Sequence, residues 1–337
     1  MMQNRYSRQI LFQPIGEKGQ EQLQQKSVLV AGAGALGTVA SNHLVRAGVD
    51  HIRIVDRDFV EYSNLQRQML YTEQDAKNML PKAVAAENRL KEINPEVSIE
   101  GLVTDITSEN IEKLMDGVDV VIDGTDNFST RYLLNDACFK LGIPFAYGGA
   151  VSSRGMSAFF VPGETPCLRC MVPDGAGNGQ TCDTVGVIAP VVDMVASLQV
   201  TEVMKYLTNN DHALRKDLYT FDMWQNQQFS MKLKEPVPDC TTCQTKAFPY
   251  LHTSVEEEYS VLCGRDSVQI HKTDHFDLHV WGQRLQTIAE VKKTPFLLKA
   301  ILDSGETLVL FPDGRVLVQG IDDITRAKTL YDRLIGS

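Results

Sequence analysis

The run Gly32-Ala33-Gly34-Ala35-Leu36-Gly37 has the residue types that phosphate chemistry needs. Glycines let a backbone turn tightly and approach a phosphate, which the N-terminus of a following helix then attracts. Asp56 stands 19 residues past Gly37, where an acid can accept hydrogen bonds from ribose hydroxyls. By itself this pattern leaves dinucleotide binding and ATP binding open. The chain contains no G-x-x-x-x-G-K-[ST] segment, which argues against a P-loop ATPase.

The segment that follows weights the choice toward ATP. Asp56-Arg57-Asp58 leads through Glu61 to Ser63-Asn64-Leu65-Gln66-Arg67-Gln68. A dehydrogenase has little use for such a run, whereas arginine neutralises phosphate and asparagine hydrogen-bonds ribose or phosphate. Lys82 adds a cation, and Asp126 follows the apolar run Val120–Asp123. At that end of a parallel sheet, where ligands gather, a carboxylate can hold magnesium between phosphates.

Four of the seven cysteines form two C-x-x-C pairs, Cys167/Cys170 and Cys240/Cys243. In a reducing compartment four thiolates suit a tetrahedral zinc ion better than disulfides. The pairs lie about 70 residues apart, so the fold must bring them together. Cys182 follows the glycine-rich stretch 172–181; a cysteine on a loop near an activated acyl group could attack it. Cys138 reads as core, and Cys263 as a small buried residue rather than a sulfur relay.

Arg5-Tyr-Ser-Arg-Gln9, the glycine loop, D-x-D with S-N-L-Q-R-Q, Pro81-Lys82 and Gly124-Thr-Asp-Asn127 occur in this order. Together they resemble the MoeB/ThiF (HesA) family, relatives of ubiquitin-activating enzymes, over roughly residues 1–250. The resemblance implies an adenylyltransferase that uses ATP and magnesium to activate the C-terminal Gly-Gly carboxylate of a ubiquitin-like sulfur-carrier protein, ThiS- or MoaD-like. It implies nucleotide contacts from Gly32, Gly34, Ala35, Gly37, Asp56, Asn64, Arg67, Gln68, Lys82, Asp126 and Asn127, with Asp126 on the magnesium. Catalytic roles would fall to Arg67, Lys82, Asp126, and Arg8, which would reach the ATP site of a second copy and so imply a homodimer. Cys182 matches the cysteine that links covalently to the carrier in thiamine-type members, and a sulfur-donor protein becomes a candidate partner. Ala35 stands where relatives often carry glycine. The resemblance implies zinc on the four cysteines too.

Three other functions compete: an NAD-dependent oxidoreductase, a non-catalytic zinc-stapled docking scaffold, and activation of a ribosomal peptide for antibiotic synthesis. The first two leave the Asn-Leu-Gln-Arg-Gln run or the cations without a purpose.

Positioning these residues calls for an α/β fold of Rossmann type with a mixed, mostly parallel sheet. Ser27–Ala31, 51–56 and 118–123 read as buried strands, and 97–103 as another. Helices are expected after the glycine loop, with Leu36, Val39, Ala40, His43, Leu44 and Ala47 on one face, and at 81–92, 107–116 and 129–141. Residues 143–149 and 156–161 read as further strands, and 187–207 as a buried helix broken by Pro190. A boundary near 236–250 divides an ATP-binding domain with the zinc site (1–250) from a small α+β domain of unknown role (251–337). In the latter, 261–270 reads as one strand, 278–291 as a helix, three short strands follow, and 324–335 is a final helix.

The length of 337 residues permits two domains, and 43% hydrophobic residues allow a full core. A formal charge of -10 argues against binding nucleic acid or anionic membranes. The N-terminus lacks the pattern of a secretory signal and no apolar run approaches the roughly 18 residues of a bilayer span, so a cytoplasmic protein is expected.

Overall fold

The computed structural model describes residues 5–173, 185–252, 259–262, 267–271, 275–321 and 323–336. The chain divides into two compact units, Met1–Thr253 and Ser254–Ser337.

The first unit carries an eight-stranded sheet. Its strands are β1 (Ser27–Ala31), β2 (His51–Val55), β3 (Ser98–Leu102), β4 (Val120–Asp123), β5 (Phe145–Val151), β6 (Arg154–Phe160), β7 (Asp217–Asp222) and β8 (Gln227–Lys232). The order is β3-β2-β1-β4-β5-β6-β7-β8. Strands β3 to β5 pair in parallel, and β6, β7 and β8 are added antiparallel. The main helices are α1 (Gly16–Leu23), α2 (Ala35–Ala47), α3 (Lys82–Ile93), α4 (Phe128–Leu141) and α5 (Ala189–Leu207).

Successive residues of a strand face opposite sides of a sheet, so a strand covered on both faces must be apolar throughout. In β1, Val28 and Val30 face the layer that holds α2, α3 and α5. Leu29 and Ala31 face the layer that holds α4. Tyr147, Phe145 and Phe160 are the large buried side chains on the α4 side.

The parallel strands and their helices follow the sequence expectation, with differences at the margins. His43 is exposed although it shares a helix with the buried Leu36, Val39, Ala40, Leu44 and Ala47. Pro190 does not break α5; it occupies the first turn, where no hydrogen bond is lost. In 107–116 only Ile111–Leu114 is helical. The hairpin β7–β8 was not legible, because β8 is an edge strand exposed at every position and has no buried face to set a period-2 pattern.

The second unit has its own antiparallel sheet of β9 (Tyr259–Leu262), β10 (Ser267–His271), β11 (Ala289–Lys293), β12 (Leu298–Leu302), β13 (Thr307–Leu310) and β14 (Arg315–Gln319), in the order β11-β12-β13-β14-β10-β9. Helices α6 (Leu278–Leu285) and α7 (Ile324–Leu334) complete it. Val268, Ile270, Leu298, Leu308, Leu310, Val316 and Leu330 form its core. Two expectations are corrected. The stretch 261–270 holds parts of two antiparallel strands rather than one. The helix over 278–291 stops at Leu285, and Ala289–Lys293 pairs with β12 instead. Strand pairing overrides a weak local helix preference there.

One crossing fixes the first unit. A Cβ on Gly37 would lie 1.9 Å from the Gly32 carbonyl oxygen, whereas one on Gly34 would meet the Gly124 oxygen at 3.7 Å. Gly37→Ala is therefore expected to cost roughly 1–3 kcal/mol, in the range of overpacked cores, and Gly34→Ala distinctly less. Urea denaturation of the two variants measures the contrast; equal losses would refute the packing account.

Candidate active site

Strand β1 lies between β2 and β4, so the chain leaves β1 and β4 toward opposite sides of the sheet. Ligands bind in the crevice that opens at such a point, beyond the carboxyl ends of the strands. Gly32 continues β1 and Gly124 continues β4. The two touch: a Cβ on Gly32 would lie 2.7 Å from the Gly124 oxygen. Gly32 has φ +94°, a conformation open to glycine. Gly34 caps α2 with no side-chain hydrogen bond, and Ala35 is the helix's first residue. The opening amides of α2 thus form an anion-attracting end at the crevice.

Asp56, just past β2, holds this turn. Its Oδ2 accepts from the Ala33 N–H at 2.7 Å and its Oδ1 from the Asp58 N–H at 2.7 Å. Burial pushes its carboxyl above the usual range, with the Lys82 ammonium opposing. Lys82, 2% exposed, opens α3 and pairs with Asp58 at 3.1 Å. Arg57 pairs with Asp105 at 2.6 Å. Asn64 is buried in a 3-10 turn, where its Oδ1 accepts from the Glu61 N–H at 3.0 Å. Arg67 is half-buried and donates to the Ser63 carbonyl at 3.0 Å. Gln68 is buried, and its Oε1 has no hydrogen-bond partner.

After β4, the Asp123 carboxylate is fully buried and accepts from the Thr125 backbone and hydroxyl and, at 3.0 Å, from Arg131 Nε. The Arg131 guanidinium also donates to the Thr125 carbonyl at 2.7 Å and lies over the Phe128 and Tyr147 rings. Burial pushes the Asp123 carboxyl up, opposed by Arg131. Asp126 is exposed at the loop's tip. Asn127 caps α4 by accepting from the Thr130 N–H at 2.8 Å.

Arg8 is exposed on the short helix Ser7–Ile10, and no hydrogen bond or ion pair among the described residues joins it to the crevice. Its neighbours anchor the segment. Tyr6 is buried beneath Gly48 and accepts from Asn94 at 2.9 Å, and Gln9 donates to the Ala47 carbonyl. Cys182 and Cys263 lie outside the described residues.

The fold brings the two cysteine pairs together. The sulfurs of Cys167, Cys170, Cys240 and Cys243 all lie within 4.8 Å of one another. Cys167 stands 3.6 Å from Cys240, and Cys170 stands 3.4 Å from Cys243. Four ligands at the zinc–sulfur distance would put tetrahedral sulfurs about 3.8 Å apart, so the cluster can hold a metal ion. Burial and the neighbouring sulfurs push the Cys167 thiol up, and burial takes Cys243 up to about 12. A bound dication reverses that logic by favouring thiolates.

The ThiF family model matches residues 6–242. The chain belongs to the ThiF family. A Bacillus subtilis (strain 168) relative described as "Sulfur carrier protein ThiS adenylyltransferase" is 46% identical, over 99% of this chain and 100% of its own. An Escherichia coli (strain K12) relative with the same description is 37% identical over 71% of this chain and 94% of its own. A Culex quinquefasciatus relative, "Adenylyltransferase and sulfurtransferase MOCS3", is 36% identical over 91% of this chain and 67% of its own. Among solved structures, that of E. coli MccB with succinimide aligns with a TM-score of 0.61 at 22% identity, over 71% of this chain and 74% of its own; at that identity it speaks to the fold.

Three features of this ThiF-family crevice escaped sequence reasoning. Tyr71, buried, places its hydroxyl 2.6 Å from the Ala33 carbonyl and 3.2 Å from that of Lys82; a tyrosine in a loop gives no signal of this. Asp58 was visible only as a member of the D-x-D motif, without its pairing to Lys82. The Asp123–Arg131 pair had a signal, an acid closing an apolar strand, and that alone could have found it.

Removing one partner of a buried pair leaves an uncompensated charge. Arg131→Met is expected to cost about 3–5 kcal/mol at neutral pH, and adding Asp123→Asn should recover much of it. In the single variant the Asp123 carboxyl moves still higher, and its neutral form fits the site. The loss should therefore shrink as pH falls through that raised value. Denaturation at pH 7 and pH 5 checks the sign; a loss that grows on acidification would refute it.

Proposed function

We propose that this protein uses ATP and magnesium to adenylate the C-terminal carboxylate of a small ubiquitin-like sulfur-carrier protein, of the ThiS type that serves thiamine thiazole synthesis. The observation that carries the reading is the family match over the crevice together with the relative described as a ThiS adenylyltransferase, which aligns end to end. The family model matches residues 6–242, which supports placing the chemistry in residues 1–253.

In the proposed reaction a carboxylate oxygen of the carrier attacks the α-phosphorus of ATP. That oxygen–phosphorus bond forms as the bond from the α-phosphorus to the β-phosphate oxygen breaks, and pyrophosphate leaves with the electron pair. No general base is required, because the attacking carboxylate is ionised at neutral pH. Both reactants are anionic, so the site must supply position and positive charge. The Gly32–Gly37 turn, with Gly34 and Ala35 at the opening of α2, would take phosphate on backbone amides. Asp56 would hold the ribose; Asn64, Arg67, Gln68 and Lys82 would meet the phosphates. Asp126, exposed beside Asn127, would hold magnesium, which supplies charge neutralisation when bound. Arg8 would act on the site of a second copy in a homodimer.

The four cysteines would hold zinc in a structural role, since four protein ligands leave no open position for a substrate. Cys182 is the proposed candidate for a covalent link to the carrier, and a sulfur-donor protein is a further expected partner.

ATP–pyrophosphate exchange tests the reading. Exchange should require the ThiS-type carrier, and Asp126→Ala should lower it about 100-fold or more. Exchange with a MoaD-type carrier alone would move the protein to molybdopterin synthesis. No exchange with either carrier would refute the assignment.

A further inference from the structure

Asn135 and Asp136 are adjacent and fully buried on α4, and each grips the cysteine centre. Asn135 Oδ1 accepts from the backbone N–H of Leu168, inside the first C-x-x-C turn, at 2.9 Å. Asp136 Oδ1 accepts from the hydroxyl of Thr242, inside the second turn. Asp136 Oδ2 accepts from the Tyr250 N–H at 3.0 Å and faces the Arg169 guanidinium at 3.8 Å. Arg169 belongs to the first turn, donates from Nε to Thr242 Oγ1 at 3.2 Å, and lies over the rings of Tyr132 and Tyr250 at 5.2 and 5.3 Å. One carboxylate thus meets both cysteine turns.

We propose that Asp136 is the positioning residue of the four-cysteine centre: through Thr242 and Arg169 it sets the two C-x-x-C turns in register, so that four sulfurs are in place before a metal binds. This rests on the reading of the centre as a zinc site. A buried carboxylate is costly unless its partners satisfy it. The partners named here come from the two segments that must meet, so the buried charge supports the register of the turns.

The test uses the full chain and zinc itself. Zinc content is measured on the wild-type protein, and zinc Kd by chelator competition on wild type, Asp136→Asn and Thr242→Val. The melting temperatures of zinc-loaded and metal-free forms are compared for each. Both variants keep all four cysteines. Thr242→Val replaces a hydroxyl with a methyl of similar size and serves if Asp136→Asn does not fold. The expected result is zinc in the wild type, a Kd raised about 10–100-fold in the variants, and a smaller gap between loaded and metal-free melting temperatures. A side chain that merely fills the core would lower both melting temperatures alike and leave the Kd unchanged, and that result overturns the proposal. Wild-type protein that holds no zinc overturns the zinc reading, and this proposal with it.

Discussion

Gly37 has no room for a side chain, because the carbonyl oxygen of Gly32 occupies the space where its Cβ would be. This close crossing lets α2 start directly against the end of β1, so that its first amides open on the crevice rather than on solvent beside it. Gly124 is drawn into the same contact from β4. Two loops that leave adjacent strands in opposite directions are thereby held backbone to backbone. Asp56 fastens this junction from β2 through the Ala33 amide, and Tyr71 fastens it from below through the Ala33 carbonyl. The acid read as a ribose ligand is therefore also a clamp on the turn. The two uses are compatible, since each carboxylate oxygen can accept more than one hydrogen bond.

The second organising element is α4. At its N-terminal end Asn127 caps the helix and Arg131 reaches back to Asp123. One turn and a half further on, Asn135 and Asp136 hold the cysteine turns. A helix rises about 1.5 Å per residue, so the loop that carries Asp126 and the cysteine centre are attached to one rod less than two turns apart. Each attachment uses a buried acid and an arginine. A buried pair of this kind adds little net stability compared with apolar packing, but it penalises any arrangement that leaves one partner alone. Both pairs act on placement: Asp123–Arg131 ties the 124–127 loop to the helix, and Asp136–Arg169 ties it to the first cysteine turn.

The parts of this architecture that sequence reasoning recovers are those where a pattern has a single physical cause. SVLVA is apolar throughout because both its faces are covered, and the glycines are spaced as they are because a crossing requires it. The cysteines announce themselves in pairs. The parts it misses depend on what a segment meets in three dimensions. AEVKK at 289–293 is indifferent between helix and strand until β12 lies beside it. QQFSMK at 227–232 has no buried face, so nothing in its order marks a strand. Thr242 and Arg169 read as spacers between cysteines, and their use becomes visible when Asp136, more than 30 residues from the nearer of them, is brought between the turns.

Charge accounting in the crevice bears on how many chains build the site. Three cations near the loops are already paired with acids of the same chain: Lys82 with Asp58, Arg57 with Asp105, and Arg131 with Asp123. These pairs fix geometry, but a triphosphate entering beside them meets carboxylates as well as cations. The amides of α2 supply only partial charge. A pyrophosphate leaving group needs more positive charge than such a balanced set offers, and a magnesium ion on Asp126 would provide part of it. Arg8 is exposed on a segment whose neighbours Tyr6 and Gln9 are pinned at Gly48 and Ala47, the far end of α2. A guanidinium held outward on an anchored turn is suited to serve a surface other than its own, which agrees with the proposed donation of Arg8 to a second copy.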